Sequence, residues 1–197
     1  HLGSDLLRRH GIEPAADLDQ RLKVLSARQG AALCREEYHL TETVDEIIDE
    51  IEAQVDDFYH HEVRAKPGVE KFLSLLKMEG VWMYVATATD RHLAQAALRC
   101  AGIDGYFRGI VTTADVSKGK DESPEIYERA MTRLQSNKRD TVIFEDALHA
   151  IRTAKAAGFR VAAVYDASAE DDQEEIRSLA DYYIRSFEEM FDTTSLD

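Results

Sequence analysis

Cysteine, basic residues and long apolar runs are all in short supply in this sequence of 197 residues. The two cysteines, Cys34 and Cys100, lie far apart and match neither a disulfide framework nor a paired metal knuckle; both are expected to be reduced, buried thiols of a cytoplasmic protein. No apolar run approaches the roughly 18 residues that a membrane helix needs, and no basic start followed by an apolar stretch opens the chain. With 24 Lys+Arg against 38 Asp+Glu the formal net charge is −14, which argues against a basic nucleic-acid groove and suits neither DNA nor a membrane surface. What is present is ordinary globular material. Hydrophobic residues at 44% and charged residues at 31% argue against a disordered acidic tail, and the length suits one domain or a domain carrying a smaller insertion.

The periodicity changes once along the chain. Up to about His61 it is helical throughout: Leu6, Leu7 and His10 share one face, Leu22, Val24 and Leu25 another, and Ala27 to Tyr38 forms a third helix. From Thr43 to Tyr59, Val44, Ile47, Ile48, Ile51, Val55 and Phe58 recur at helical spacing, with the acids Asp45, Glu46, Asp49, Glu50 and Glu52 on the solvated face. After Lys66-Pro67-Gly68, strands alternate with helices. Val81 to Thr87, Gly109 to Thr112, Thr141 to Phe144 and Val161 to Tyr165 read as strands, with Tyr182 to Ile184 a last edge strand. The pattern predicts a small helical-bundle domain over residues 1–64 and, over 65–197, an α/β domain of Rossmann-like, doubly wound parallel-sheet type. Trp82 and Tyr84, alternating along a strand buried on both sides, are expected in the core.

In such sheets ligands bind beyond the carboxyl ends of the strands, where three places carry polar chemistry. Thr87, Ala88 and Thr89 end an apolar strand just before a helix, where a hydroxyl and free backbone amides can hold a phosphate; a threonine there is also an ordinary cap. Lys118 and Lys120 flank Gly119 in a loop before the Ser123-Pro124 helix start, and a solvated loop lysine is the simpler alternative. Val142-Ile143-Phe144 runs into Glu145-Asp146. Adjacent carboxylates at the end of a buried strand repel unless something positive offsets them, and magnesium, a hard cation that keeps several waters and takes few carboxylates, fits best. The competing reading is that Asp146 only caps the next helix. Hydroxyl, lysine and acid pair together are what phosphoryl transfer needs, but a nucleophile is missing. His149, His60 and His61 read as structural or solvent-facing.

These motifs resemble the haloacid dehalogenase superfamily, in particular its β-phosphoglucomutase-like branch with a helical cap. The stretches VATATDRHLAQAALRCAGI and FEDALHAIRTAKAAGF carry the resemblance most specifically, and Lys66-Pro67-Gly68-Val69 stands at the cap exit. The resemblance implies that Thr87 is the second-motif hydroxyl, Lys120 the third-motif lysine, and Asp146, supported by Glu145, the magnesium ligand. It also implies an aspartyl-phosphate mechanism acting on a small phosphorylated metabolite, a sugar phosphate or similar. The alternatives are a β-phosphoglucomutase-type phosphomutase and a non-catalytic protein that binds a phosphorylated ligand or a partner through the same cleft. In capped members the cap selects the substrate, and Arg28, beside Ser26 and Gln29, is the candidate contact.

The sequence departs from the family pattern in three places. No segment reads Asp-x-Asp-Gly-Thr, the first motif that carries the nucleophile at the end of a central strand. Since the sequence opens at His1 and a stable sheet without its central strand is hard to build, the intact protein is expected to carry that motif upstream. Lys120 stands four residues before Pro124 where relatives often have three, which keeps Lys118 as a rival. Ala147 takes a place often held by serine.

Overall fold

A computed structural model of the chain describes residues 2–22 and 25–191. The chain divides into two compact units, His1–Glu62 and Val63–Asp197. Among the described residues no helix is long and apolar enough to cross a membrane.

The first unit is built from α1 (Leu2–Arg9), α2 (Leu18–Leu22), α3 (Ala27–Glu37) and α4 (Val44–His61). Its core joins Leu6, Leu7, Leu18, Ala31, Cys34, Leu40 and Ile47, one apolar stripe from each helix plus the turn before α4. Val24 lies outside the described residues. Both longer helices begin with reciprocal caps: Ser26 with Gln29 on α3, and Thr43 with Glu46 on α4. His10 is held between acids, its Nε2 3.0 Å from Glu50 and its Nδ1 3.8 Å from Glu42. The Glu50 contact raises the His10 pKa against a smaller opposing effect of burial, and the charges of Glu50 and Glu42 add to the rise.

The second unit alternates as its sequence pattern requires: α5 (Val69–Met78), β1 (Met83–Thr87), α6 (Arg91–Cys100), β2 (Phe107–Thr112), α7 (Glu125–Arg133), β3 (Val142–Glu145), α8 (Leu148–Ala156), β4 (Arg160–Val164), α9 (Gln173–Leu179) and β5 (Tyr182–Ile184). All pairings are parallel. Alternation along β4 shows how the layers are made. Val161 and Ala163 join the core formed with α7, α8 and α9, while Ala162 and Val164 face the opposite side, where Phe72 of α5 packs with Ile184 and Phe187. Gly68 opens α5 at φ 80°, and a Cβ there would lie 2.6 Å from the Glu188 amide nitrogen, so only glycine fits.

The parallel sheet comes in two pieces, β1-β2 and β3-β4-β5. β1 and β3 each end their piece, and between them runs a trench of about 1300 Å³, lined by Tyr84 and Ala86 of β1, Ile143 and Phe144 of β3, Phe72 of α5 and Met131 of α7. This gap corrects two expectations drawn from the sequence. Trp82 is 49% exposed, stacked under the Arg108 guanidinium at 3.4 Å, rather than in the core, and Tyr84 is only half-buried. Phe144 is likewise 42% exposed, with its ring 5.6 Å from that of Phe72. Among the described residues β1 and β3 each have a strand neighbour along one edge only, and the other edge opens on the trench, where these side chains stay uncovered. Cys34 is buried as expected; Cys100 is only half-buried, its thiol donating to the Val63 carbonyl.

Candidate active site

Each expected site residue in the second unit lies at or beyond the carboxyl end of a strand. Thr87 closes β1, and its Oγ1 accepts the Thr89 amide at 3.1 Å, leaving its own O–H to donate. The turn through Ala88 and Thr89 leads to Asp90, which precedes α6 without a side-chain capping bond. The Ala88 carbonyl accepts the Thr113 hydroxyl from the segment after β2, tying the two carboxyl ends together. That segment continues to the lysine loop, which carries Lys120 to the end of β3.

Lys120 Nζ donates to Glu145 Oε2 at 2.8 Å, and both side chains are largely removed from solvent, at 16% and 7% exposure. Lys118 points elsewhere, 60% exposed and 4.0 Å from Glu122. Glu145 Oε2 also accepts the Tyr127 hydroxyl at 2.9 Å, while Oε1 accepts the amides of Asp146 and Ala147 at 3.1 and 3.4 Å. Burial opposes the charge on Glu145, but the Lys120 charge, contact with the Asp146 carboxyl and the bonds from Lys120 and Tyr127 outweigh it, holding the carboxyl below its usual range. Asp146 responds in the opposite direction. Burial raises its pKa, and the hydrogen bond to Glu145 and the charge of Glu145 raise it further, with a smaller contribution from Asp166. Tyr127 is pushed far up by burial and by the Glu145 charge.

Asp146 does not cap the helix that follows. The capping position is Ala147, which offers no side-chain bond. A half-buried carboxylate beside a fixed negative neighbour gains from a cation, and an all-oxygen donor set suits a hard one such as magnesium. Among the described residues no three His, Cys, Asp or Glu side chains gather into a metal cluster. A lone carboxylate such as Asp146 is the kind of oxygen donor that suits magnesium, which keeps several waters and takes few carboxylates.

Two features escaped the sequence reading. Tyr127 carried a faint signal, since a tyrosine on a buried helix face needs a partner for its hydroxyl. The second, Asp166 just beyond β4, carried none. It accepts Lys66 Nζ at 2.6 Å and, with bonds from Ser168, is held well below the usual carboxylate range. In the first unit Arg28 donates through both terminal nitrogens to Asp45 Oδ1 at 2.8 Å and is 63% exposed, while Ser26 and Gln29 are engaged in capping α3. His149 is exposed on α8.

A profile described as "Haloacid dehalogenase-like hydrolase" matches residues 11–164. The chain is 26% identical over 149 residues to "Phosphorylated carbohydrates phosphatase" of Thermotoga maritima, covering 76% of this chain and 68% of that protein. It is 32% identical over 136 residues to "Pyrophosphatase PpaX" of Halalkalibacterium halodurans, covering 68% of this chain and 62% of that protein. About a third or more of each relative therefore lies outside the match. Among solved structures, a protein of Thermotoga maritima provisionally designated a β-phosphoglucomutase shares the fold, with a TM-score of 0.79 and 24% identity over 96% of this chain and 87% of that one.

Proposed function

The chain belongs to the haloacid dehalogenase-like hydrolase family, and from that premise we propose that it serves a phosphatase hydrolysing a small phosphate monoester, a sugar phosphate or similar. The observation that carries the proposal is the buried contact of Lys120 with Glu145, beside the half-buried Asp146, at the carboxyl end of β3. A cation and a partly buried carboxylate, side by side at a strand end, suit the handling of a phosphoryl group better than any neutral ligand.

In this reading the Thr87 hydroxyl and the amides of the Ala88-Thr89 turn orient phosphoryl oxygens. Lys120 offsets their charge, and Glu145 fixes where the ammonium sits. Asp146, supported by Glu145, would hold magnesium, which when bound supplies charge neutralisation between the carboxylates and the phosphoryl group. The family resemblance assigns the attacking carboxylate to an apolar strand ending in Asp-x-Asp-Gly-Thr, absent from the sequence, and the trench between β1 and β3 has the form such a strand would need. Substrate selection falls to the helical unit, with Arg28 as its candidate contact. The motif's absence from the sequence is the one feature that favours a second reading, a protein that binds a phosphorylated ligand without turning it over.

Hydrolysis of an aryl phosphate with magnesium by the full-length protein, carrying the Asp-x-Asp motif, separates the two. Turnover that disappears in Asp146→Asn supports the phosphatase. Phosphate binding with no turnover supports the binding protein, and neither binding nor turnover refutes both.

A further inference from the structure

The Tyr127 hydroxyl has no part in the reaction just outlined, yet it lies at the centre of the charged cluster. Tyr127 is 4% exposed, and its ring packs edge-on against Phe159 with centroids 6.4 Å apart. Its hydroxyl donates to the same Glu145 oxygen that takes the Lys120 ammonium, and that ammonium lies 5.6 Å from the tyrosine ring centroid. The other Glu145 oxygen faces two backbone amides. Every side of the carboxylate is therefore met by a protein donor.

We infer that Tyr127 is a positioning residue that sets how firmly Glu145 holds Lys120, an inference that rests on the reading of Lys120 as the cation that meets a phosphoryl group. An oxygen shared by two donors grips each less tightly than an oxygen with one, and a carboxylate held from both ends cannot turn. Lys120 has three N–H donors, and the structure gives one of them to Glu145. With the tyrosine hydroxyl in place, the ammonium can pass its remaining donors to an incoming anion. Without it, the whole of Glu145 Oε2 falls to Lys120, and the ammonium is drawn back toward the carboxylate. A hydroxyl that merely satisfied a buried oxygen would affect folding stability and leave anion affinity alone.

The test compares the full chain with Tyr127→Phe, which keeps the ring and its packing. Inorganic phosphate is titrated in the presence of magnesium by calorimetry, and the Lys120 side-chain nitrogen is followed by NMR. The inference expects Tyr127→Phe to fold, to bind phosphate roughly three- to tenfold more weakly, the scale of one ordinary net hydrogen bond, and to shift the Lys120 resonance. Unchanged phosphate affinity in a folded Tyr127→Phe overturns the inference and leaves the phosphatase reading standing. If the wild-type chain binds no phosphate, that reading fails, and the Lys120 resonance decides the positioning role: a shift in Tyr127→Phe supports it, and no shift overturns it. Should Tyr127→Phe not fold, replacement by 4-fluorophenylalanine fills the hydroxyl's place without a donor, and the same two readouts apply, with a similar loss expected and wild-type values overturning the inference.

Discussion

Replacing Lys120 with methionine removes the cation from a nearly buried pair and keeps the length of the aliphatic stem. Glu145 would remain 8% exposed, with Tyr127 and two amides for company but no positive charge. Breaking a buried pair from one side costs about 3 kcal/mol at neutral pH, equivalent to a fall in Tm of roughly 10 °C for a unit of this size. The cost should depend on pH in a defined direction. In the wild type the Glu145 pKa is depressed, so its contribution to stability is present above the unfolded-state value near 4.5 and is lost as pH falls through the lower folded value. In Lys120→Met burial dominates and raises that pKa, so protonation relieves the penalty while the wild type still keeps its benefit. The gap between the two proteins should narrow by about half between pH 7 and pH 4.5. Urea unfolding in EDTA, followed by fluorescence of the single tryptophan, Trp82, measures it. The double variant Lys120→Met with Glu145→Gln should recover most of the loss, because no unpaired charge remains buried. A Lys120→Met cost below about 0.5 kcal/mol, or a cost equal at both pH values, would refute the argument by showing the pair to be screened by water.

Three further outcomes follow from the packing. Gly68→Ala should destabilise the second unit by about 2 kcal/mol or more, since the added methyl meets the backbone of Phe187 and Glu188 at a positive φ; thermal melting checks this. His10, whose pKa is raised chiefly by Glu50, stabilises the helical unit fully below pH 6.5 and loses that contribution as pH climbs through its higher folded value; His10→Ala should therefore cost about 0.5 kcal/mol at pH 6 and almost nothing at pH 9 by chemical denaturation. A synthetic apolar strand peptide with solubilising lysines should slow amide exchange along β1 and β3, whereas a version with proline at alternate positions should not; equal protection by both would mean the trench takes apolar matter without strand pairing.

Local chemistry fixed most of what could be read in advance. The spacing of Val44, Ile47, Ile48 and Ile51 has one helical solution, Gly102 and Gly158 end their helices at positive φ, and short apolar runs between helices call for parallel strands. The approximate places of Thr87, Lys120, Glu145 and Asp146 were legible for the same reason, because a strand end is a local event. The choice between Lys118 and Lys120 was not, since both occupy one loop and only the path of that loop brings Lys120 to Glu145. Tyr127 left only a faint signal as a site neighbour and Asp166 none, because contacts between elements leave no periodic trace in sequence.

Sequence alone thus determined most of the elements, though not α9, with their order and the polar residues at their ends, all of which depend on neighbours a few positions apart. Tertiary structure alone decided which of those residues meet, how burial and charge divide Glu145 from Asp146, and that the sheet stands in two pieces with Trp82 and Phe144 turned to solvent. Burial and backbone pairing are properties of an edge and its neighbour, and a strand's sequence cannot state whether that neighbour is there.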